Sequence, residues 1–197
     1  MILAALLLTQ AGTAIEAERD FNRTAQTQGQ WTAFRRYAAD NAVMFVPRPE
    51  NAQKFLKDRK DPPIAVQWWP AESYVSCDGT VAVNTGPWAA PRGSGFFTTV
   101  WVRQDDGGWK WVYDGGDALK APRALPGQPR IRRAACSNVP PLGPAMPGPD
   151  GAASASRDGS LRWNWAMAPD GSRNFTASIW TGERFEDVVT DRVAAPQ

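Results

Sequence analysis

Between Ala14 and Gln28 the apolar positions Ala14, Ala17, Phe21 and Ala25 recur at intervals of three and four, one stripe of an amphipathic helix, and Gly29 supplies a stop. A second helix is predicted over residues 30–39, with Trp31, Phe34 and Ala38 turned inward. The run "AVMFVP" reads as a short strand closed by Pro47. "ENAQKFLKDR" reads as a third helix anchored by Phe55 and Leu56, and Asp61-Pro62-Pro63 prevents its continuation. Past these prolines the period changes. "IAVQWW", "SYVS", "TVAVNT", "GFFTTVWVR" and "WKWVYD" are rich in β-branched and aromatic residues, and turn sequences at 77–79, 91–95 and 105–108 separate the later ones. Two helices, a strand, a helix and then a meander of antiparallel strands predict an α+β fold with the helices gathered on one face of the sheet.

The stretch 121–155 is loaded with proline, glycine and alanine and reads as a linker or strap. Beyond it, "LRWNWAM", "NFTASIW" and "FEDVVTDRV" predict three more strands over 156–197. Three short strands bury too little to stand alone, so they are expected to pack on the main domain, with a small independent β-unit as the alternative. The domain reading is a leader over 1–14, the main domain over 15–120, the strap, and a C-terminal β extension.

The leader reading rests on "MILAALLLTQAGTA". Its apolar run is too short to span a bilayer but fits the core of a secretory signal, with small residues at Gly12-Thr13-Ala14 for cleavage; an N-terminal helix turn packed on the core is the alternative. A periplasmic or secreted protein is expected, with no stable membrane span. Cys77 sits in a tight-turn sequence and Cys136 in the strap, so a bridge between them would staple the strap down in an oxidising compartment; two buried free thiols are the other possibility.

Composition narrows the chemistry. The 197 residues carry a net charge of only +2 with scattered Lys and Arg, which argues against nucleic acid as a partner. There is no histidine, which removes Ser-His-Asp and Cys-His catalysis and the common zinc sites. No phosphate loop or dinucleotide-binding glycine motif is present, so no cofactor is expected. Asp-Gly pairs recur at Asp78, Asp106, Asp114, Asp150, Asp158 and Asp170, but none opens a twelve-residue calcium loop, so no metal is expected either. Acid–base work would fall to Asp, Glu, Tyr or Lys.

This element order, with "FRRYAADNAVMFVP" and the hairpin "TTVWVRQDDGGWKWVYDGG", resembles the cone-shaped α+β fold of nuclear transport factor two, the SnoaL-like polyketide cyclases, scytalone dehydratase and the steroid delta-isomerases. The resemblance covers about residues 14–119 and is nearest to uncharacterised exported bacterial SnoaL-like proteins. It implies a curved antiparallel sheet with helices on its concave face, enclosing a chamber used in different members for isomerisation, dehydration, cyclisation or binding alone. Matched residue by residue, the steroid-isomerase base falls on Val46, the oxyanion tyrosine on Phe21 and the oxyanion aspartate on Val100, all apolar. Steroid-isomerase chemistry is therefore disfavoured.

A plain four-residue loop at Asp105–Gly108 would pair Val102 with Trp111 and Val100 with Tyr113 and place all four on the chamber face, with Asp114 on the other; a β-bulge would reverse part of this. The expected chamber residues are Phe21, Val46, Trp68, Val100, Val102, Trp111 and Tyr113. Asp114 and Asp117 are read first as the end of the strand. The functional expectation is a small-ligand domain for an apolar or aromatic molecule, without established catalysis. The alternatives are an isomerase, dehydratase or cyclase acting on a small carbonyl compound with a carboxylate base from Asp40, Glu72, Asp114 or Asp117, and a homodimeric interaction module. A carboxylate inside a chamber open to solvent separates the enzyme from the binding module.

Overall fold

Thr13 starts the first helix with a capping box: its hydroxyl accepts from the Glu16 N–H, and the Glu16 carboxylate accepts from the Thr13 N–H. In the computed structural model, which describes residues 12–121, 123–142 and 151–196, this helix is α1 (Ala14–Gln28). Residues 1–11, on which most of the leader reading rests, lie outside the described residues. Helices α2 (Gln30–Tyr37) and α3 (Ala52–Leu56) follow; α3 is half the predicted length. No helix among the described residues is long and apolar enough to cross a membrane.

The first sheet contains β1 (Ala38–Phe45), β2 (Pro49–Asn51), β3 (Gln67–Trp68), β4 (Glu72–Val75), β5 (Val81–Ala90), β6 (Gly93–Arg103), β7 (Trp109–Leu119) and β8 (Arg130–Arg133). Its order is β2-β1-β7-β6-β5-β4-β8, with β3 paired to β5. The protein is α+β, but the sheet is mixed and not purely antiparallel: β1 runs parallel to β7, and β8 runs parallel to β4. Both parallel partners are distant in sequence, as parallel pairing requires a long connection. The predicted strap thus contributes β8, which satisfies the otherwise open edge of β4. A second sheet is formed by β9 (Gly151–Ala155), β10 (Leu161–Met167), β11 (Arg173–Trp180) and β12 (Phe185–Val193), in the order β12-β11-β10-β9.

The first sheet is buried on both faces. Phe21, Ala25, Ala33 and Leu56 from the helices pack with Ala82, Trp101 and Trp111 on one side. Val81, Val83, Val100 and Tyr113 pack on the other side against Leu161, Trp163, Phe175 and Ile179 of the second sheet. Each fully buried side chain of this size contributes about 1.5–3 kcal/mol. That outweighs the exposed Arg132–Glu186 pair joining the same layers, since exposed ion pairs contribute about 0–1 kcal/mol.

Two matching turns lock the layers at one end. In Ser76–Thr80 the Asp78 carboxylate accepts from the hydroxyls of Ser76 and Thr80, and in Ser156–Ser160 the Asp158 carboxylate accepts from those of Ser156 and Ser160. Each aspartate then accepts the other's backbone N–H, at 2.9 and 3.2 Å. Beside them Cys77 and Cys136 stand at disulfide distance, with Cα atoms 5.2 Å apart and a sequence separation of 59. Closing a loop of that length stabilises the fold by about 2–4 kcal/mol. Cys136→Ser is expected to lower the unfolding free energy measured by urea titration under oxidising conditions by that amount and to have no effect in the presence of reductant; equal stabilities under oxidising conditions would show that no bridge forms.

Candidate functional site

The strand hairpin decides which side chains face the helices. Val100 lies opposite Tyr113, but the register shifts before the next pair, so that Trp101, not Val102, lies opposite Trp111. The extra residue is a β-bulge in β7 at Val112. It puts Trp111 and Asp114 on the helix side and Tyr113 on the side of the second sheet. Val100, Val102 and Tyr113, expected to face the chamber, therefore pack against the second sheet. Phe21 and Trp111 lie in the helix-side core, and Val46 is partly buried against it. Trp68 alone of the seven expected chamber residues lines the cavity described next.

That cavity, of about 270 Å³, lies on the helix side near the end of β7. Phe34, Trp68, Trp88 and Phe97 give it aromatic walls, while Asp114, Asp117 and Arg173 supply charge. Glycine at 115 and 116 leaves the wall beside Asp114 without side chains, and a Cβ at Gly116 would sit 2.1 Å from the Phe96 carbonyl oxygen. Part of Asp114 opens onto the cavity. Burial still dominates its carboxyl, pushing the pKa up to about 8, and repulsion from Glu18 adds to the shift. No hydrogen bond from the described residues offsets either effect. Asp114 is thus mostly a neutral acid at pH 7.

The other predicted carboxylates are placed differently. Asp117 lines the cavity, but its Oδ1 accepts from the Ala118 N–H at 2.8 Å. Asp40 is exposed on β1, away from the cavity. Glu72 accepts from the Tyr74 hydroxyl at 2.8 Å and borders a separate depression with Arg123 and Arg130.

The sequence reading missed Glu18, which is 0 % exposed inside α1. Its Oε1 accepts from Trp68 Nε1 at 2.8 Å, and its Oε2 accepts from Trp101 Nε1 at 2.6 Å, Thr99 Oγ1 at 2.5 Å and Asn84 Nδ2 at 3.2 Å. Burial raises its pKa, opposed by these hydrogen bonds from Thr99, Trp101, Trp68 and Asn84. One signal was available: Glu18 lies four residues after Ala14 and three before Phe21, so it interrupts the apolar stripe with a charge. Glu18 fixes Trp68, a cavity wall, and acts on Asp114 through its charge.

Among the described residues no group of three or more histidine, cysteine, aspartate or glutamate side chains is arranged to hold a metal ion. The chain matches no protein-family profile and no curated protein.

Proposed function

We propose that the protein is an exported SnoaL-like cone whose cavity binds a small, flat carbonyl compound and transfers a proton on it through Asp114. The cone reading is supported by the order of helices and strands and by the return of β1 beside β7. Export is supported by the cysteine pair. The chemistry rests on one observation: a carboxyl with a pKa of about 8 borders an open, aromatic-walled cavity. A binding module has no need of such a group, whereas general acid–base catalysis favours a pKa near the working pH.

One side chain suffices for a keto–enol shift. The neutral Asp114 carboxyl donates its proton to the ligand's carbonyl oxygen; the carboxylate so formed removes a proton from the adjacent carbon, leaving the enol and the regenerated acid. The aromatic walls hold the planar enol and exclude water. At about 270 Å³ the cavity is smaller than the roughly 300–1,000 Å³ typical of drug-sized ligands, so a one- or two-ring compound is the expected size.

The test is solvent exchange. A panel of cyclic and aryl ketones, half of them bearing a carboxylate, is incubated in D₂O and followed by proton NMR. At least one member is expected to incorporate deuterium next to its carbonyl with wild-type protein and at the buffer rate with Asp114→Asn. Exchange that is equal in the two proteins, or absent across the panel, would overturn the reading.

A further inference from the structure

Arg173 opens β11 in the second sheet, yet its side chain reaches the first sheet and forms part of the cavity wall. Its Nη2 donates to the Gly116 carbonyl at 2.9 Å, and its guanidinium carbon lies 4.7 Å from the centre of the Phe45 ring. Among the described residues no carboxylate lies within ion-pair distance of it. Its Nε is enclosed with no acceptor among the described residues. Arg123, which also crosses between the sheets, shows the contrast: it pairs with the buried Asp191 at 2.8 Å. A guanidinium carries five N–H donors in a planar fork that matches a carboxylate, and among the described residues Arg173 uses one of them, toward the Gly116 carbonyl.

We propose that Arg173 is an anion subsite, contributed to the cavity by the C-terminal sheet, and that the ligand is a small aromatic or cyclic carbonyl compound bearing a carboxylate. The inference rests on reading the cavity as a ligand site. Gly116 lies two residues beyond Asp114, about 7 Å along an extended strand, so a single ring spans from Arg173 to the acid. At neutral pH the protonated Asp114 does not repel the incoming anion, so Asp117 is the one carboxylate of the lining that opposes Arg173. The walls accept the ring; the guanidinium fixes which end of it points outward.

The probes are benzoate and its neutral isostere benzamide, with binding measured by ligand-observed NMR titration at pH 7. Wild-type protein is expected to bind benzoate about tenfold more tightly than benzamide, the worth of a charge-assisted hydrogen bond. Arg173→Gln is expected to abolish the preference, and Arg173→Lys, which keeps the charge, to retain part of it. Equal binding of the two probes to wild type, failure of benzoate to bind, or a preference that survives Arg173→Gln would overturn the subsite. If the benzoate preference holds while deuterium exchange fails, the anion subsite stands and only the proton-transfer reading falls.

Discussion

Asp114→Asn is expected to make the protein more stable while removing its activity. Because the folded pKa of Asp114 is raised to about 8, the carboxyl favours folding only while neutral. Its contribution is complete below the unfolded value near 4 and is lost as pH rises through about 8. Asparagine never ionises and escapes that loss. Urea titrations should therefore give equal stabilities at pH 4 and a gain for the variant of about 3 kcal/mol at pH 9, a figure discounted for the part of the group open to the cavity. Turnover should fall by about 10²–10⁴-fold, the usual worth of a general acid–base group. In wild type, activity should decline above about pH 8 as the donated proton is lost. A variant no more stable at pH 9 than at pH 4, relative to wild type, would show that the carboxyl is not buried.

Glu18→Ala should be the most damaging single substitution on the helix side. It leaves Trp68 Nε1, Trp101 Nε1, Thr99 Oγ1 and Asn84 Nδ2 without their shared acceptor in a dry core. At about 1–3 kcal/mol per orphaned buried group, partly relieved by rearrangement of Thr99 and Asn84, the cost is on the order of 5 kcal/mol. That approaches the total stability of many domains. Glu18→Gln keeps one acceptor and should fold, at a cost of about 2 kcal/mol. Since the folded Glu18 pKa is raised, wild type loses stability as pH climbs above the ordinary glutamate value, and the glutamine variant should lack that component. The same variant removes the repulsion felt by Asp114, so the alkaline limb of activity should move to lower pH. Circular dichroism with urea unfolding at two pH values separates these outcomes; an alanine variant within 1 kcal/mol of wild type would rule out the carboxylate as a hub.

The helices α1 and α2 and the three C-terminal strands were legible because each has a clear period and a turn or glycine at its end. The strands "LRWNWAM" and "FEDVVTDRV" coincide with β10 and β12. The faces of the central hairpin were not legible. Alternation reveals a face only when the opposite one is wet, and β6 and β7 are covered on both sides. Trp111, Val112 and Tyr113 are all apolar, so a bulge among them leaves no mark in the pattern, yet it reverses where Asp114 points. Edge pairing by Arg130–Arg133 was hidden for another reason: four exposed, largely charged residues show no strand period, and only the open edge of β4 recruits them. Arg173 was a loop-flanking arginine in the sequence; its place in the cavity depends on how the two sheets stack.

The reciprocal turns at Asp78 and Asp158 bear on how the chain is made. Neither turn can complete its hydrogen bonds until residues 80 positions apart have met. Wherever the chain folds, the first sheet therefore arrives before its cover, with Val81, Val83, Val100 and Tyr113 exposed until the C-terminal strands reach them. Nascent chains are most vulnerable to aggregation in that interval. The demand for a holding chaperone should accordingly be set by how soon the C-terminal quarter is delivered to the first sheet, not by the stability of the finished fold.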